Sequence, residues 1–249
     1  ETLKLSREGI EEAEKDKGTE LQIEVLEMRL KYDIPYGNDY KNNALNNYLQ
    51  NKMTLIDLEK KNNKIIIDTS KINKFEIPEE LMHKMRSSVI LAGALLGRYK
   101  KAIFSYPGGC DIGSRPIDLH LRSFEKLGIN VVQNYGNIIC DAEKIKGEKI
   151  DLDFPSVGAT ENAILASVLA ETTTITNAAR EPEIIDLQNF LNKMGAKIIG
   201  AGTNEIQITG VKKLKDISYN IMPDRIETGT FLCLAVATKG NLILENTNA

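Results

Sequence analysis

The sequence predicts an α/β fold of repeated helix–strand units, with apolar helices buried inside an outer layer of short sheets. Two observations predict it. First, the chain repeats itself. The order of helix, three strands, helix and strand in residues 115–177 returns in 183–246, at an offset of about 67 residues. Second, the helical stretches around Ile90–Leu96, Ala163–Leu169 and Phe231–Ala237 are apolar nearly all round. A helix without a polar face is normally a buried one, so short sheets are left to form the shell around all three.

The elements follow in order. Ile10–Lys17 is a charged, helix-prone stretch, and Glu20–Leu30 has partial helical amphipathicity through Leu21, Ile23, Val25, Leu26, Met28 and Leu30. Residues 1–35 therefore read as a charged helical segment with solvated faces. From Gly37 to Lys64 the chain is rich in Asn and Lys and forms a core poorly. A weaker first copy of the repeat then runs from about Asn43 to Ser105. It holds Lys64–Asp68, Phe75–Pro78, a helix over Met85–Leu96 and a strand over Ala102–Ser105.

In the second copy an amphipathic helix runs from Ile117 to Leu127 and stops at Gly128. Strands are predicted over Ile129–Val132, Asn137–Cys140 and Ile150–Pro155, then a helix over Glu161–Leu169 and a strand over Thr173–Thr176. The third copy repeats this with a helix Ile184–Met194 stopped at Gly195. Its strands are Ala196–Ile199, Glu205–Ile208 and Ile217–Pro223, followed by a helix Glu227–Ala237 and a strand Asn241–Leu244.

The most informative loop is Tyr106–His120. Cys110 stands among Gly108, Gly109 and Gly113, with Arg115 five residues later. The glycines let the backbone move and bring N–H groups close to an anion. Arg115 offers a fork suited to phosphate or carboxylate, and a thiol near such a charge is activated. Physics alone equally allows a Gly-rich surface turn with an incidental cysteine. His120 is either a ligand-polarising group or a packing residue, and His83 reads as a helix-surface residue. Cys140, in an apolar strand, and Cys233, in an apolar helix, both read as small buried hydrophobes.

Several motifs, in order, carry a resemblance: Pro107-Gly108-Gly109-Cys110 through Leu119, Phe154-Pro155-Ser156-Val157-Gly158-Ala159-Thr160, Asn177-Ala178-Ala179-Arg180-Glu181-Pro182-Glu183, and Pro223-Asp224-Arg225-Ile226-Glu227-Thr228-Gly229-Thr230. From about Lys64 to Ala249 the chain resembles the UDP-N-acetylglucosamine 1-carboxyvinyltransferases, which are enolpyruvyl transferases. The resemblance implies an inverse α/β barrel of the enolpyruvyl transferase type, in which six units make two domains with the active site in the cleft between them. It implies Cys110 as general acid toward phosphoenolpyruvate and the sulfur that fosfomycin alkylates, and Arg115 as a phosphate ligand. It implies a nucleotide-sugar site of Arg86, Arg115, Pro116, Ile117, Asp118, Leu119, Phe154, Pro155, Ser156 and Val157. Arg86 at a helix start is a sound anion ligand in its own right. Phe154 and Pro155 depart from the more basic form of that segment, which removes a charged contact there. The Lys-Asn pair that contacts phosphoenolpyruvate in the family has a similar string at Lys41-Asn42, read here as a coincidence.

The expected domains are 1–35 unmatched, 36–223 carrying the Cys loop, and 224–249 as the start of a second domain that is otherwise missing. Against a complete enzyme, the chain looks truncated before the family's base and second phosphate clamp. Hence the alternatives are an inactive fragment that only binds nucleotide sugar, or the related 3-phosphoshikimate 1-carboxyvinyltransferase, against which the Gly-Gly-Cys loop argues. Expected partners are UDP-N-acetylglucosamine and phosphoenolpyruvate, with no cofactor and no metal.

Composition adds exclusions. A net charge of −3 over 249 residues gives no reason to expect nucleic acid. No apolar run approaches the roughly 18 residues of a membrane span. Three cysteines without a CxxC pair indicate neither a zinc site nor a disulfide framework, which fits the cytoplasm.

Overall fold

The computed structural model describes residues 57–61, 64–69, 72–83, 86–108 and 116–247. The expectations for residues 1–35 and for Lys41-Asn42 lie outside them. Residues Asn73–Met222 form one compact unit, and the described residues on either side belong to a second.

The second unit holds an antiparallel hairpin, β1 (Asp57–Lys61) with β2 (Lys64–Asp68). It also holds one long helix, which is taken up below.

In the Asn73–Met222 unit, the short helix α1 (Glu79–Met82) is followed by a 3-10 turn, Arg86–Val89. The turn runs directly into α2 (Ile90–Tyr99), and β3 (Lys101–Ser105) comes next. The second copy comprises α3 (Asp118–Lys126), β4 (Asn130–Asn134), β5 (Asn137–Asp141), β6 (Lys149–Asp151), α4 (Val157–Ser167) and β7 (Thr173–Thr176). The third begins α5 (Pro182–Lys193), β8 (Lys197–Ile199) and β9 (Glu205–Thr209).

Both amphipathic helices end alike. Gly128 and Gly195 have φ of 76° and 104°. Gly128 N–H donates to Glu125 O and Ile129 N–H to Phe124 O, while Gly195 donates to Asn192 and Ala196 to Leu191. This is the Schellman closure, which needs a residue at ease with positive φ.

The sheets repeat as well. One has the order β3-β5-β4, the other β6-β7-β9-β8. In each, the last strand of one copy is laddered onto the hairpin of the next: Phe104 faces Ile138, and Ile175 faces Ile206. β6 lies parallel to β7. Its counterpart in the first copy is 75–77, which runs parallel to β3 through Ile77 N–H to Ile103 O at 2.8 Å and Ile103 N–H to Phe75 O at 2.8 Å.

Two of the three apolar helices are inside. α4 buries Ala159, Ala163, Ile164 and Ala166, and α2 buries Ala92, Leu95 and Leu96. They approach closely because α2 presents glycines: a Cβ at Gly97 would stand 2.5 Å from Leu165 O, and one at Gly93 would stand 2.7 Å from Asn162 O.

The third differs from the sequence expectation. α6 (Arg225–Thr238) is a well-capped helix, with the Asp224 carboxylate accepting from Ile226 and Glu227 N–H, yet none of its residues is buried. Cys233, expected to be buried, is exposed. Ile217–Pro223 and Asn241–Leu244, expected as strands, are not laddered. A strand needs a partner for its backbone N–H and C=O groups. In the second copy the last strand is laddered by the following hairpin and β6 by that last strand; no such hairpin follows here among the described residues.

Candidate functional site

Three chain segments meet at one corner of the Asn73–Met222 unit: the turn Arg86–Val89, the start of α3 and the start of α4. Arg86 is half-buried, and its Nη2 donates to Pro116 O at 3.1 Å. This bond fixes the described residue next to the Cys110 loop. On the other side of that loop, Gly108 N–H donates to Met82 O at 3.0 Å. A Cβ at Gly108 would stand 2.1 Å from His83 O, so only glycine lies this close. Cys110 and Arg115 themselves lie outside the described residues.

Ile117 is buried as the residue before α3, and Pro116 and Asp118 are exposed. Asp118 pairs with Arg122 at 3.4 Å, and Arg122 also holds Asp153. That bridge joins the first turns of α3 to the segment leading into α4. Leu119 is half-buried, and its carbonyl accepts from Ser123 Oγ at 2.7 Å. Phe154 and Pro155 are exposed, and Ser156 caps α4 by accepting from Ala159 N–H at 3.4 Å. Val157 and Gly158 follow as the first helical residues, whose N–H groups face outward at the positive end of the helix dipole. A helix N-terminus with an arginine and a polar cap can hold an oxyanion.

His120 occupies the middle of this corner and is 4% exposed. Its ring edge lies against Gly158, where a Cβ would stand 3.0 Å from Cε1. Burial first, and then the Arg86 guanidinium, lower its pKa to about 4, with Asp118 acting weakly the other way. The imidazole is therefore neutral at physiological pH. The alternative kept open by the sequence resolves toward a packed histidine that is nevertheless one wall of the corner.

Beside it, an open depression of about 430 Å³ is lined by Pro155, Asn177, Ala178, Arg180 and Glu181. Thr160 builds it: its hydroxyl donates to Ser156 O and accepts Ala179 N–H at 3.1 Å, tying the Asn177–Arg180 turn to the start of α4. Asn177, at φ 53°, donates to Leu152 O at 2.8 Å. The sequence singled out this turn as a motif but assigned it no role. It also passed over Asn162, a polar residue fully buried in an apolar helix. That combination was itself a signal, because a buried amide has to be answered by partners.

The remaining thiols contrast. Cys140 is buried in β5, and burial, then Asp141 and Glu125, push its pKa up to about 12. His83 is exposed at the end of α1. Among the described residues no helix is long and apolar enough to cross a membrane, and no cluster of His, Cys, Asp or Glu could hold a metal.

Comparison with known proteins places this architecture. The chain is 58% identical over 179 residues to UDP-N-acetylglucosamine 1-carboxyvinyltransferase 2 of Caldanaerobacter subterraneus subsp. tengcongensis, which covers 72% of this chain and 43% of that protein. It is 55% identical over 183 residues to the protein of the same name from Carboxydothermus hydrogenoformans, covering 73% and 44%. The chain thus spans less than half the length of either relative. The fold matches the crystal structure of the enolpyruvyl transferase NikO from Streptomyces tendae with a TM-score of 0.65 at 22% identity, over 76% of this chain and 45% of that one. This is the inverse α/β barrel fold that the family resemblance implied. The family model of EPSP synthase (3-phosphoshikimate 1-carboxyvinyltransferase) matches residues 34–249, and the chain belongs to that family of enolpyruvyl transferases.

Proposed function

We propose that this protein serves the transfer of enolpyruvyl from phosphoenolpyruvate to the 3-hydroxyl of UDP-N-acetylglucosamine, the first committed step of peptidoglycan synthesis. The observation that carries the reading is the 58% and 55% identity to relatives bearing that activity's name. That level favours it over the shikimate-pathway transferase after which the family model is named.

In this reading Arg86, Arg115, Pro116, Ile117, Asp118, Leu119, Phe154, Pro155, Ser156 and Val157 hold the nucleotide sugar. The diphosphate suits the α4 N-terminus beside Arg86, and the exposed Phe154 and Pro155 suit a flat ring. The sugar 3-hydroxyl gives its proton to a general base as its oxygen adds to C2 of phosphoenolpyruvate, while Cys110 delivers a proton to C3, giving a tetrahedral phosphate ketal. Loss of a C3 proton and of inorganic phosphate then restores the double bond. Arg115 balances the phosphate charge through both steps, as an electrostatic stabiliser should. Residues 36–223 carry this loop, and 224–249 begin a second domain. A cytoplasmic place in wall building, hence in cell shape and division, and alkylation of Cys110 by fosfomycin belong to the same reading.

A second reading rests on α6, which buries none of its side chains: this chain by itself binds the nucleotide sugar without turning it over. Phosphate release from the two substrates, with calorimetric titration of UDP-N-acetylglucosamine alongside, separates the two. Release that disappears with Cys110→Ala supports transfer. Binding without release supports the second reading. Release with 3-phosphoshikimate in place of the nucleotide sugar overturns both.

A further inference from the structure

The starts of α2 and α4 are joined by one side chain. Asn162 Oδ1 accepts the N–H of Gly93 at 2.9 Å, and its Nδ2 donates to the carbonyl of Val89 at 3.0 Å. These two backbone groups are four residues apart, the pair that an α-helix bonds to each other. The amide thus bridges them at the junction where the 3-10 turn becomes α2. Its orientation is not free. Turning it over would set an NH2 against the Gly93 N–H and an oxygen against the Val89 carbonyl.

The consequence reaches His120. The second N–H of Asn162 Nδ2 points at His120 Nδ1, 2.8 Å away. A group with its orientation fixed as a donor requires an acceptor, so Nδ1 carries no proton. The proton of the neutral ring then sits on Nε2, beside Gly158 at the first turn of α4. Nε2 makes no hydrogen bond within the described residues and is not among their buried unpartnered polar atoms, so it is open to an acceptor at this corner.

We infer that Asn162 is a positioning residue: through the backbone of α2 it holds His120 in one tautomer, so that a neutral Nε2–H donor is presented at the N-terminus of α4. The use of that donor, to bind an oxygen of the nucleotide-sugar diphosphate, rests on the functional reading above. The charged groups facing the ring are Arg86 from the 3-10 turn and Asp118 from α3. Neutrality lets the ring donate next to Arg86 without a second positive charge.

Nitrogen NMR of the labelled full chain tests this before any ligand is added. The expected spectrum has His120 protonated on Nε2, bare at Nδ1, and neutral down to pH 5. A proton on Nδ1, or titration near 6.5, overturns the inference. Asn162→Asp supplies the second test, because a carboxylate accepts where the amide donates. The proton should move to Nδ1, or the ring should charge near neutral pH. The affinity of the variant for UDP-N-acetylglucosamine should then rise several-fold from pH 8 to pH 6, while the wild type changes less than twofold. An unchanged tautomer in a folded Asn162→Asp protein also overturns the inference. Should that variant fail to fold, the wild-type spectrum alone decides. If neither UDP-N-acetylglucosamine nor inorganic phosphate binds the wild type, the functional reading fails, while the tautomer still decides the inference.

Discussion

Acid should destabilise this protein through one histidine. His120 has a folded pKa of about 4 against an ordinary 6.5, so the unfolded chain takes up a proton that the folded chain refuses. Stability therefore rises with pH where the unfolded state binds more protons. Above pH 6.5 the ring is neutral in both states and costs nothing. Below it the penalty grows, and it levels off once pH passes the folded value near 4. At 1.36 kcal/mol per pKa unit, the loss is about 2 kcal/mol between pH 7.5 and 5, and about 3 kcal/mol in full. The measurement is urea unfolding at pH 7.5 and 5.0, in the wild type and in His120→Gln. Glutamine can accept the Asn162 hydrogen bond but does not titrate. The pH-dependent loss should shrink by about 2 kcal/mol in the variant. Two histidines are present and the other, His83, is exposed, so it remains as the internal control. Equal losses in both proteins would show that His120 charges freely in the folded state and would refute the reasoning.

Other expectations follow from the packing. Gly97→Ala should destabilise by about 1–3 kcal/mol as overpacking does, because its Cβ would stand 2.5 Å from Leu165 O; this outweighs the roughly 1 kcal/mol that alanine gains in a helix. A gain in the midpoint of urea unfolding would contradict it. Gly229→Ala in α6 meets nothing within 4 Å, so it should slow amide exchange along that helix. Exchange across Phe231–Ile243 should precede that of Ala163–Leu169, since α6 buries no residue and α4 buries most of its length; equal protection would be fatal to that reading. Brief limiting alkylation at neutral pH should label Cys110 first and leave Cys140, whose pKa is near 12, for the unfolded chain. First label on Cys140, or on the exposed Cys233, would count against this.

Much of the fold was legible because the repeat is written twice. Thr173–Thr176 and Asn137–Asp141 follow the alternation of side chains that a half-buried strand requires, and Gly128 and Gly195 mark helix ends by an unmistakable backbone need. Ile217–Pro223, Asn241–Leu244 and Cys233 were misread for a common reason. Periodicity and apolarity report what a segment is suited to, and a sheet or a buried face exists only when something lies against it. At the site, Arg86, Ser156 and Asp118 were visible as residue types in motifs. Asn162 was hidden because an average over an apolar helix dilutes its one polar member. No local pattern records that its partners, Val89 and Gly93, come from a helix about 70 residues earlier.

The sheets carry a rule that bears on the last described segment. β3 is laddered by β5 and β7 by β9, so each copy's final strand is completed by the hairpin of the copy that follows. Leu242 and Ile243 sit at the matching place in the third copy, 44% and 83% exposed. Ile226, Leu232 and Val236 of α6 are also exposed, where the equivalent helix α4 is buried. The same physics that made β3 and β7 strands would make 241–244 a strand once a hairpin lay beside it, and would cover α6 once a sheet did. The relatives are more than twice as long as the stretch they share with this chain. A hairpin or sheet laid against these exposed apolar side chains would gain about 25 cal/mol per Å² of apolar surface it buried.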